Sequence, residues 1–275
     1  MNITFLTTDE PLFLPKFFEN VLPALARRHT VRVCSVPPLY KSQSSAQAAR
    51  RYLASFGVTA TIQLTTRLLR AKLARQSIET ICRRADIAYE LIGDVNAPKF
   101  LDSLRRENVD LLVSVSCPQI FRRALIETPP RGILNIHGAI LPQYRGVLPS
   151  FWMMANGEQW AGVSIYFVNE AIDAGDLCGQ EVFPISADES LEEFILRSKV
   201  IAADLLLRTI GAMELGDVER RPLDLAQGSY CPWPDAKAVQ RFRAAGRRLW
   251  GTKRSSAVMG AAIFRRSRPQ PRTIE

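Results

Sequence analysis

The chain has 275 residues, a formal net charge of +9, 47% hydrophobic residues and 23% charged residues. That length suits one large domain, or one domain with a small appendage, and the apolar fraction argues against a wholly disordered chain. Five scattered cysteines without a C-x-x-C pair argue against a disulfide framework or structural zinc, two histidines (His29, His137) argue against a multi-histidine metal centre, and no apolar run reaches the ~18 residues of a membrane span.

Asn2 to Thr7 reads as a buried opening strand. Pro15 to Arg28 follows as a helix, with Phe17, Phe18, Val21, Leu22 and Leu25 at helical spacing and a kink or break expected at Pro23. Thr30 to Val36 is a second strand, residues 43 to 84 are helix-rich, and Ala88 to Ile92 is a short strand. Ala97 to Glu107 is a helix with Pro98 in its first turn, Val109 to Ser116 a strongly apolar strand and Phe121 to Glu127 a helical piece. Gly132 to Ile136 is a strand running into His137; Gly162 to Asn169 and Glu181 to Ile185 are further strands. A long helix begins at Asp188-Glu189-Ser190 and runs to about Leu215. This alternation predicts an α/β fold, a Rossmann-like, mostly parallel sheet with flanking helices, whose ligand crevice lies past the carboxyl ends of the strands.

The expected organisation is a catalytic domain over 1–215, a small extension over 216–250 and a basic tail over 251–275. The extension, with Ser229-Tyr230-Cys231-Pro232-Trp233-Pro234, reads as a hairpin packing its aromatics on the body. From residue 236 onward eleven lysines and arginines face one acid, Glu275, so the rest of the chain is nearly neutral. The tail's composition favours disorder; its functional alternative is a handle for RNA, anionic lipid or a phosphorylated substrate. Only Phe242, Trp250 and Phe264 interleave with the charges, so nucleic acid is not favoured as a partner. The N-terminus has neither a basic segment nor a cleavage site, which predicts a cytoplasmic protein with reduced thiols and no membrane partner.

No G-x-G-x-x-G, G-x-x-x-x-G-K-[ST] or G-x-S-x-G occurs, which disfavours a Rossmann dehydrogenase, a P-loop enzyme and a serine hydrolase. The informative stretch is 132–176. Asn135 and His137, two apart on a strand, share one face at its C-terminal end, and a loop follows in which Pro142 and Gly146 fix the turns and Tyr144 and Arg145 are available for substrate contacts. An amide donor beside an imidazole suits a developing oxyanion and a proton transfer, and Asp173 is a plausible carboxylate for the imidazole. On these residues alone, a structural histidine and a turn-forming aspartate remain the commoner interpretation; His29, with no polar companions in sequence, reads as structural.

Asn135-Ile136-His137, Leu141-Pro142-x-Tyr144-Arg145-Gly146, Asn156-Gly157-Glu158, Gly162-Val163-Ser164-Ile165 and Ile172-Asp173-Ala174-Gly175-Asp176, in this order, resemble the 10-formyltetrahydrofolate-dependent formyltransferases. The 36-residue step from His137 to Asp173 is similar to the family's spacing, and weaker likeness reaches upstream through Asp94–Leu101 and Val109–Ser116. The resemblance implies that Asn135, His137 and Asp173 are catalytic, that 10-formyltetrahydrofolate is the co-substrate with no metal, and that a primary amine attacks the formyl carbon. It implies a folate pocket made by Cys117, Pro118, Gln119, Ile120 and Phe121 with Val168, Glu170 and Ile172. Cys117 is expected as a pocket wall, since the implied mechanism needs no thiol.

Three departures bear on the acceptor. Ala139 stands where many members carry Ser; Thr7-Thr8-Asp9-Glu10 lacks a glycine-rich phosphate loop and its acids would repel a phosphate; and 216–250 differs from the barrel domain of methionyl-tRNA formyltransferase. By elimination the acceptor is expected to be a small amine, with an amino sugar preferred. Hydrolysis at the same trio, and RNA-directed transfer or binding through the basic tail, are the alternatives. The oligomeric state is not legible.

Overall fold

The fold is that of a computed structural model, which describes residues 1–37 and 44–251. Along the chain run β1 (Asn2–Thr8), α1 (Leu14–Ala26), β2 (Thr30–Val36), α2 (Ser45–Phe56), α3 (Val58–Leu73), α4 (Ile78–Arg84), β3 (Ala88–Leu91), α5 (Pro98–Arg106), β4 (Leu111–Val115) and α6 (Arg123–Ile126). Then follow β5 (Ile133–His137), β6 (Arg145–Gly146), α7 (Pro149–Ala155), β7 (Trp160–Phe167), β8 (Leu177–Pro184), α8 (Leu191–Leu215), β9 (Tyr230–Cys231) and α9 (Ala236–Ala244).

Seven strands form one sheet in the order β3-β2-β1-β4-β5-β7-β8. The first five are parallel; β7 pairs antiparallel with β5, and β8 antiparallel with β7. The expected Rossmann-like α/β architecture is therefore present. β1 and β4 are buried along their length because helices cover both faces of the sheet, which is why they read as continuous apolar runs. One face packs on α1 and α8, where the rings of Phe5 and Phe17 both meet Phe18 edge-on at 5.6 and 5.2 Å. Deleting one such buried ring costs about 3–5 kcal/mol. The other face packs on α5 through Leu6, Leu101, Leu104 and Leu112.

Helix ends follow local chemistry. Pro15, Pro98 and Pro149 sit in the first turns of α1, α5 and α7, where a missing N–H costs nothing. Ser190 and Glu193 cap α8 reciprocally, and Gly216 ends it. α1 does not end at Pro23: the proline is exposed and the helix continues to Ala26.

Three stretches differ from the sequence expectation. β8 begins at Leu177, four residues early, because Gly179 is not a loop residue: a Cβ there would meet Thr209 Oγ1 of α8 at 2.9 Å. The stretch read as a loop after His137 contains β6 and α7, both too short to show periodicity. Residues 216–250 form no hairpin. β9 pairs in parallel with β6 (Arg145↔Tyr230, Gly146↔Cys231), a partner far back in the chain that no local turn signal announces. α9 then puts Phe242 into the main core, stacked on Phe151 at 5.0 Å, and Trp233 packs edge-on to Phe56 at 6.2 Å. From residue 252 on, the segment read as a basic tail lies outside the described residues. Among the described residues no helix is long and apolar enough to cross a membrane.

Candidate active site

β5 carries the first two members of the expected trio. It lies between parallel β4 and antiparallel β7, and Asn135 and His137 stand at its carboxyl end. Asp173 arrives from the loop between β7 and β8. That loop turns back tightly on β7, because a Cβ at Gly175 would collide with the Phe167 carbonyl. Asn169 braces it, accepting from the Ala171 N–H (3.0 Å) and donating to the Ala174 carbonyl (3.1 Å). Ser116, Tyr144, Leu148 and Asp173 all take left-handed backbone conformations here (φ between +48° and +58°). For residues other than glycine such conformations cost of order 1–3 kcal/mol each and gather where geometry matters most.

The three side chains belong to one network. His137 Nε2 lies 2.8 Å from the Tyr144 carbonyl, which can only accept, so this nitrogen carries the proton. Nδ1 then faces Asp173 Oδ2 at 3.6 Å. Asp173 accepts from the Gly146 N–H at Oδ2 and from the Tyr166 hydroxyl at Oδ1, each at 2.8 Å. Asn135 Nδ2 donates to the same hydroxyl (2.9 Å), leaving its second N–H for a ligand. Burial, and then Asp173, push the Tyr166 phenol well above its ordinary range, so it stays a donor to the carboxylate. The arrangement can accept a proton at Nδ1 and hold the resulting imidazolium opposite Asp173.

Two chambers meet at this network. The first, about 230 Å³, is walled by Cys117–Phe121 and by Val168–Asp173. All eight residues expected around the folate line it: Cys117, Pro118, Gln119, Ile120, Phe121, Val168, Glu170 and Ile172. Gln119 pins its segment by accepting from the Val95 N–H and donating to the Gly93 carbonyl, both at 2.9 Å. Burial pushes the Cys117 thiol up to about 11, so it is a neutral wall group. The second chamber, about 440 Å³, holds His137, Glu10, Ser116, Ser150 and Lys199. Asn135, Gly146 and Asp173 line both.

Tyr144 and Arg145 are the exceptions. Neither lines these two chambers, though Tyr144 walls a separate hollow of about 430 Å³ with Trp152, Asn156, Glu158 and Arg241. The Tyr144 hydroxyl donates to Glu158 and accepts from Asn156 on the far side of β6, so its carbonyl, not its ring, serves the network. Arg145 is half-buried with Nε unpartnered. In this structure the Tyr144 backbone supports His137, and the Arg145 side chain is set back from both chambers. His29 sits between the N-terminal amine (3.4 Å) and Glu214 (3.5 Å), outside both chambers.

Sequence reasoning missed Tyr166 and Lys199, and saw in Glu10 only a charge that repels phosphate. Tyr166 is directly opposite Asn135 across β5 and β7, a register visible only once the strands pair. Glu10 does more than repel an anion. Its carboxylate fills the amides at the start of α1, accepting from Leu12 (2.7 Å), Phe13 (2.8 Å) and Leu14 (3.2 Å). Burial raises the pKa of Glu10 and lowers that of Lys199; each charge partly offsets the other's shift. Lys199 Nζ reaches Ser116 Oγ at 3.3 Å.

The family model described as formyl transferase matches residues 3–210. The methionyl-tRNA formyltransferase of Syntrophus aciditrophicus is 35% identical over 138 residues, 50% of this chain and 44% of the relative. That of Trichlorobacter lovleyi is 30% identical over 161 residues, 58% of this chain and 51% of the relative. The chain thus spans about half the length of these curated relatives. A sugar N-formyltransferase from a Shewanella species superposes with TM-score 0.56 at 20% identity, covering 85% of this chain and 77% of that one. Glycinamide ribonucleotide transformylase 1 of Symbiobacterium toebii gives TM-score 0.56 at 17% identity, covering 82% and 95%. With three quarters of its length matched by the model and the fold shared with these enzymes, the chain belongs to the formyl transferase family.

Proposed function

We propose that this protein transfers the formyl group of 10-formyltetrahydrofolate to the primary amine of a small acceptor, with an amino sugar as the preferred class. The observation that carries this reading is the meeting of two chambers at Asn135 and Asp173. The first chamber combines the apolar walls of Phe121, Val168 and Ile172 with polar backbone of the 168–173 loop, which suits a flat heterocycle with a polar edge. Its eight lining residues named above would hold the folate, which supplies an activated formyl carbon.

In this reading the amine enters through the second chamber, past Glu10 and Lys199. Asn135 donates its free N–H to the oxygen that becomes negative when the amine adds. His137 Nδ1 takes the proton released by the attacking nitrogen and returns it to the leaving nitrogen. Asp173 holds the imidazolium between the two transfers, and Tyr166 keeps Asp173 and Asn135 in place. Removing the acid–base imidazole costs about 100- to 10,000-fold. Because Glu10 already occupies the amides at the start of α1, the chamber disfavours a phosphomonoester there, which weighs against glycinamide ribonucleotide.

A second reading, formylation of a methionyl-tRNA, is favoured by the names of the two curated relatives. One experiment separates them. The protein is given 10-formyltetrahydrofolate with free amino sugars, nucleotide-linked amino sugars or methionyl-tRNA, and tetrahydrofolate release is followed with His137→Ala alongside. Release that requires an amino sugar and is lost in the variant supports the first reading; release with methionyl-tRNA alone supports the second. Release without any amine means hydrolysis, and folate bound but never turned over overturns both.

A further inference from the structure

α3 has two apolar faces, and among the described residues only one is covered. Ala60, Leu64 and Ala71 turn inward at helical spacing, with Ala60 and Ala71 fully buried. Diametrically opposite, at 58, 62, 69 and 73, stand Val58, Ile62, Leu69 and Leu73, exposed by 65%, 61%, 57% and 84%. Helical periodicity of about 3.6 puts these four in one stripe along the axis. The same geometry puts Arg70 on one flank and Lys72 on the other, both exposed. Thr65 and Thr66 fill the turn between Ile62 and Leu69, and an exposed, mostly aliphatic stripe of this kind marks a surface that something covers.

The charges say what kind of surface. Residues 44–76 contain six lysines and arginines (Arg50, Arg51, Arg67, Arg70, Lys72, Arg75) and no aspartate or glutamate; Arg67 turns inward and pairs with Glu192 at 3.0 Å, so the other five carry the charge of this surface. A second copy of the chain would bring like charge against like. A nucleic acid would meet the charge but not the stripe, which holds no aromatic ring for a base to stack on. An aliphatic stripe flanked by basic side chains matches an anionic bilayer: the stripe enters the acyl boundary while Arg70 and Lys72 reach the headgroups.

We propose that α3 is a docking face for the surface of a membrane containing anionic lipid, lying in its plane. The absence of a spanning segment has no bearing on this, since such a helix lies on the bilayer and does not cross it. The chain carries a second source of positive charge after residue 252 (Lys253, Arg254, Arg265, Arg266, Arg268, Arg272), so the test must separate helix from tail.

The full chain is sedimented with phosphatidylcholine vesicles with and without phosphatidylglycerol. Ile62→Asp/Leu69→Asp and Arg70→Gln/Lys72→Gln are compared with the parent, with thermal unfolding confirming that each is folded. The expected result is binding only to the anionic vesicles, weakened about tenfold or more by the double aspartate variant and less by the double glutamine variant. Failure of the parent to bind overturns the proposal. So does binding unchanged in the aspartate variant, which assigns it to the tail alone. Single-stranded RNA binding without vesicle binding overturns it in favour of a nucleic acid, and concentration-dependent dimers abolished by the aspartates, again without vesicle binding, in favour of a second copy. Because the readout needs no turnover, its failure leaves the formyl-transfer reading untouched.

Discussion

The Nε2 of His137 donates to the backbone carbonyl of Tyr144, and that bond decides which imidazole nitrogen is left for chemistry. The carbonyl belongs to a loop residue with φ of +58°, one residue before β6. The tautomer is therefore set by loop backbone, and the carboxylate of Asp173 acts on the opposite nitrogen.

Tyr166 ties Asp173 to Asn135 through one hydroxyl. Tyr166→Phe keeps the packing of the buried ring and removes both bonds. A hydrogen bond to a charged group contributes about 1.5–3 kcal/mol, so kcat is expected to fall about 10- to 100-fold. Folate affinity, followed by fluorescence titration, should stay near the parent value; a variant with parental kcat would remove Tyr166 from the network.

Ser229 accepts from the Tyr144 N–H through its hydroxyl (2.8 Å) and from the Arg145 N–H through its carbonyl (2.9 Å). Ser229→Ala leaves the Tyr144 amide without its partner, at a cost of about 1–3 kcal/mol. The predicted signature is a drop in kcat with little change in folate binding, measured together with thermal unfolding. Unchanged kcat would show that the loop holds its carbonyl without this support.

Gly175 has no room for a side chain, since its Cβ would overlap the Phe167 carbonyl. Gly175→Ala must push the Asp173 loop off β7. Overpacking typically costs about 1–3 kcal/mol, and folate affinity should fall because the displaced loop walls the first chamber. Gly157→Ala, at a glycine with positive φ but open space around it, serves as the control for backbone strain alone. Equal loss of folate binding in both variants would refute the steric account.

His29 predicts a pH dependence of stability. Burial lowers its pKa below the ordinary 6.5, with Glu214 opposing the shift. The unfolded chain therefore takes up a proton before the native one does. The native state keeps this contribution above pH 6.5 and loses it as the pH falls from 6.5 towards the lowered native value. Denaturant unfolding across this window should show a slope that His29→Gln flattens; equal slopes in both proteins would assign the dependence to other groups.

The centre of the sheet was legible in the sequence because β1 and β4 are buried on both faces and read as apolar runs, as in Leu111–Val115, whereas the half-exposed β8 gave no such run and its start was misplaced. The trio was legible for a different reason: Asn135 and His137 are two apart on one strand, and the motifs around them resemble a known family. What stayed hidden depends on contacts distant in sequence. Tyr166 gains its role from the register of β5 against β7. β6 and β9 are two residues each and become strands only by meeting. Arg145 drew attention as a charged residue in a glycine-bearing turn, but burial of its Nε could not be read from the sequence.

The meeting of β6 and β9 also orders events in time. A chain emerging from the ribosome has released all seven strands of the sheet, Asn135, His137 and Asp173 before β9 follows. Until then Gly146 has no Cys231 beside it, and the amides of Tyr144 and Arg145 lack Ser229. Domains generally form in the order they are synthesised. The turn that meets the His137 imidazole is thus clamped by the part of the chain made after the whole sheet, so its geometry is completed last.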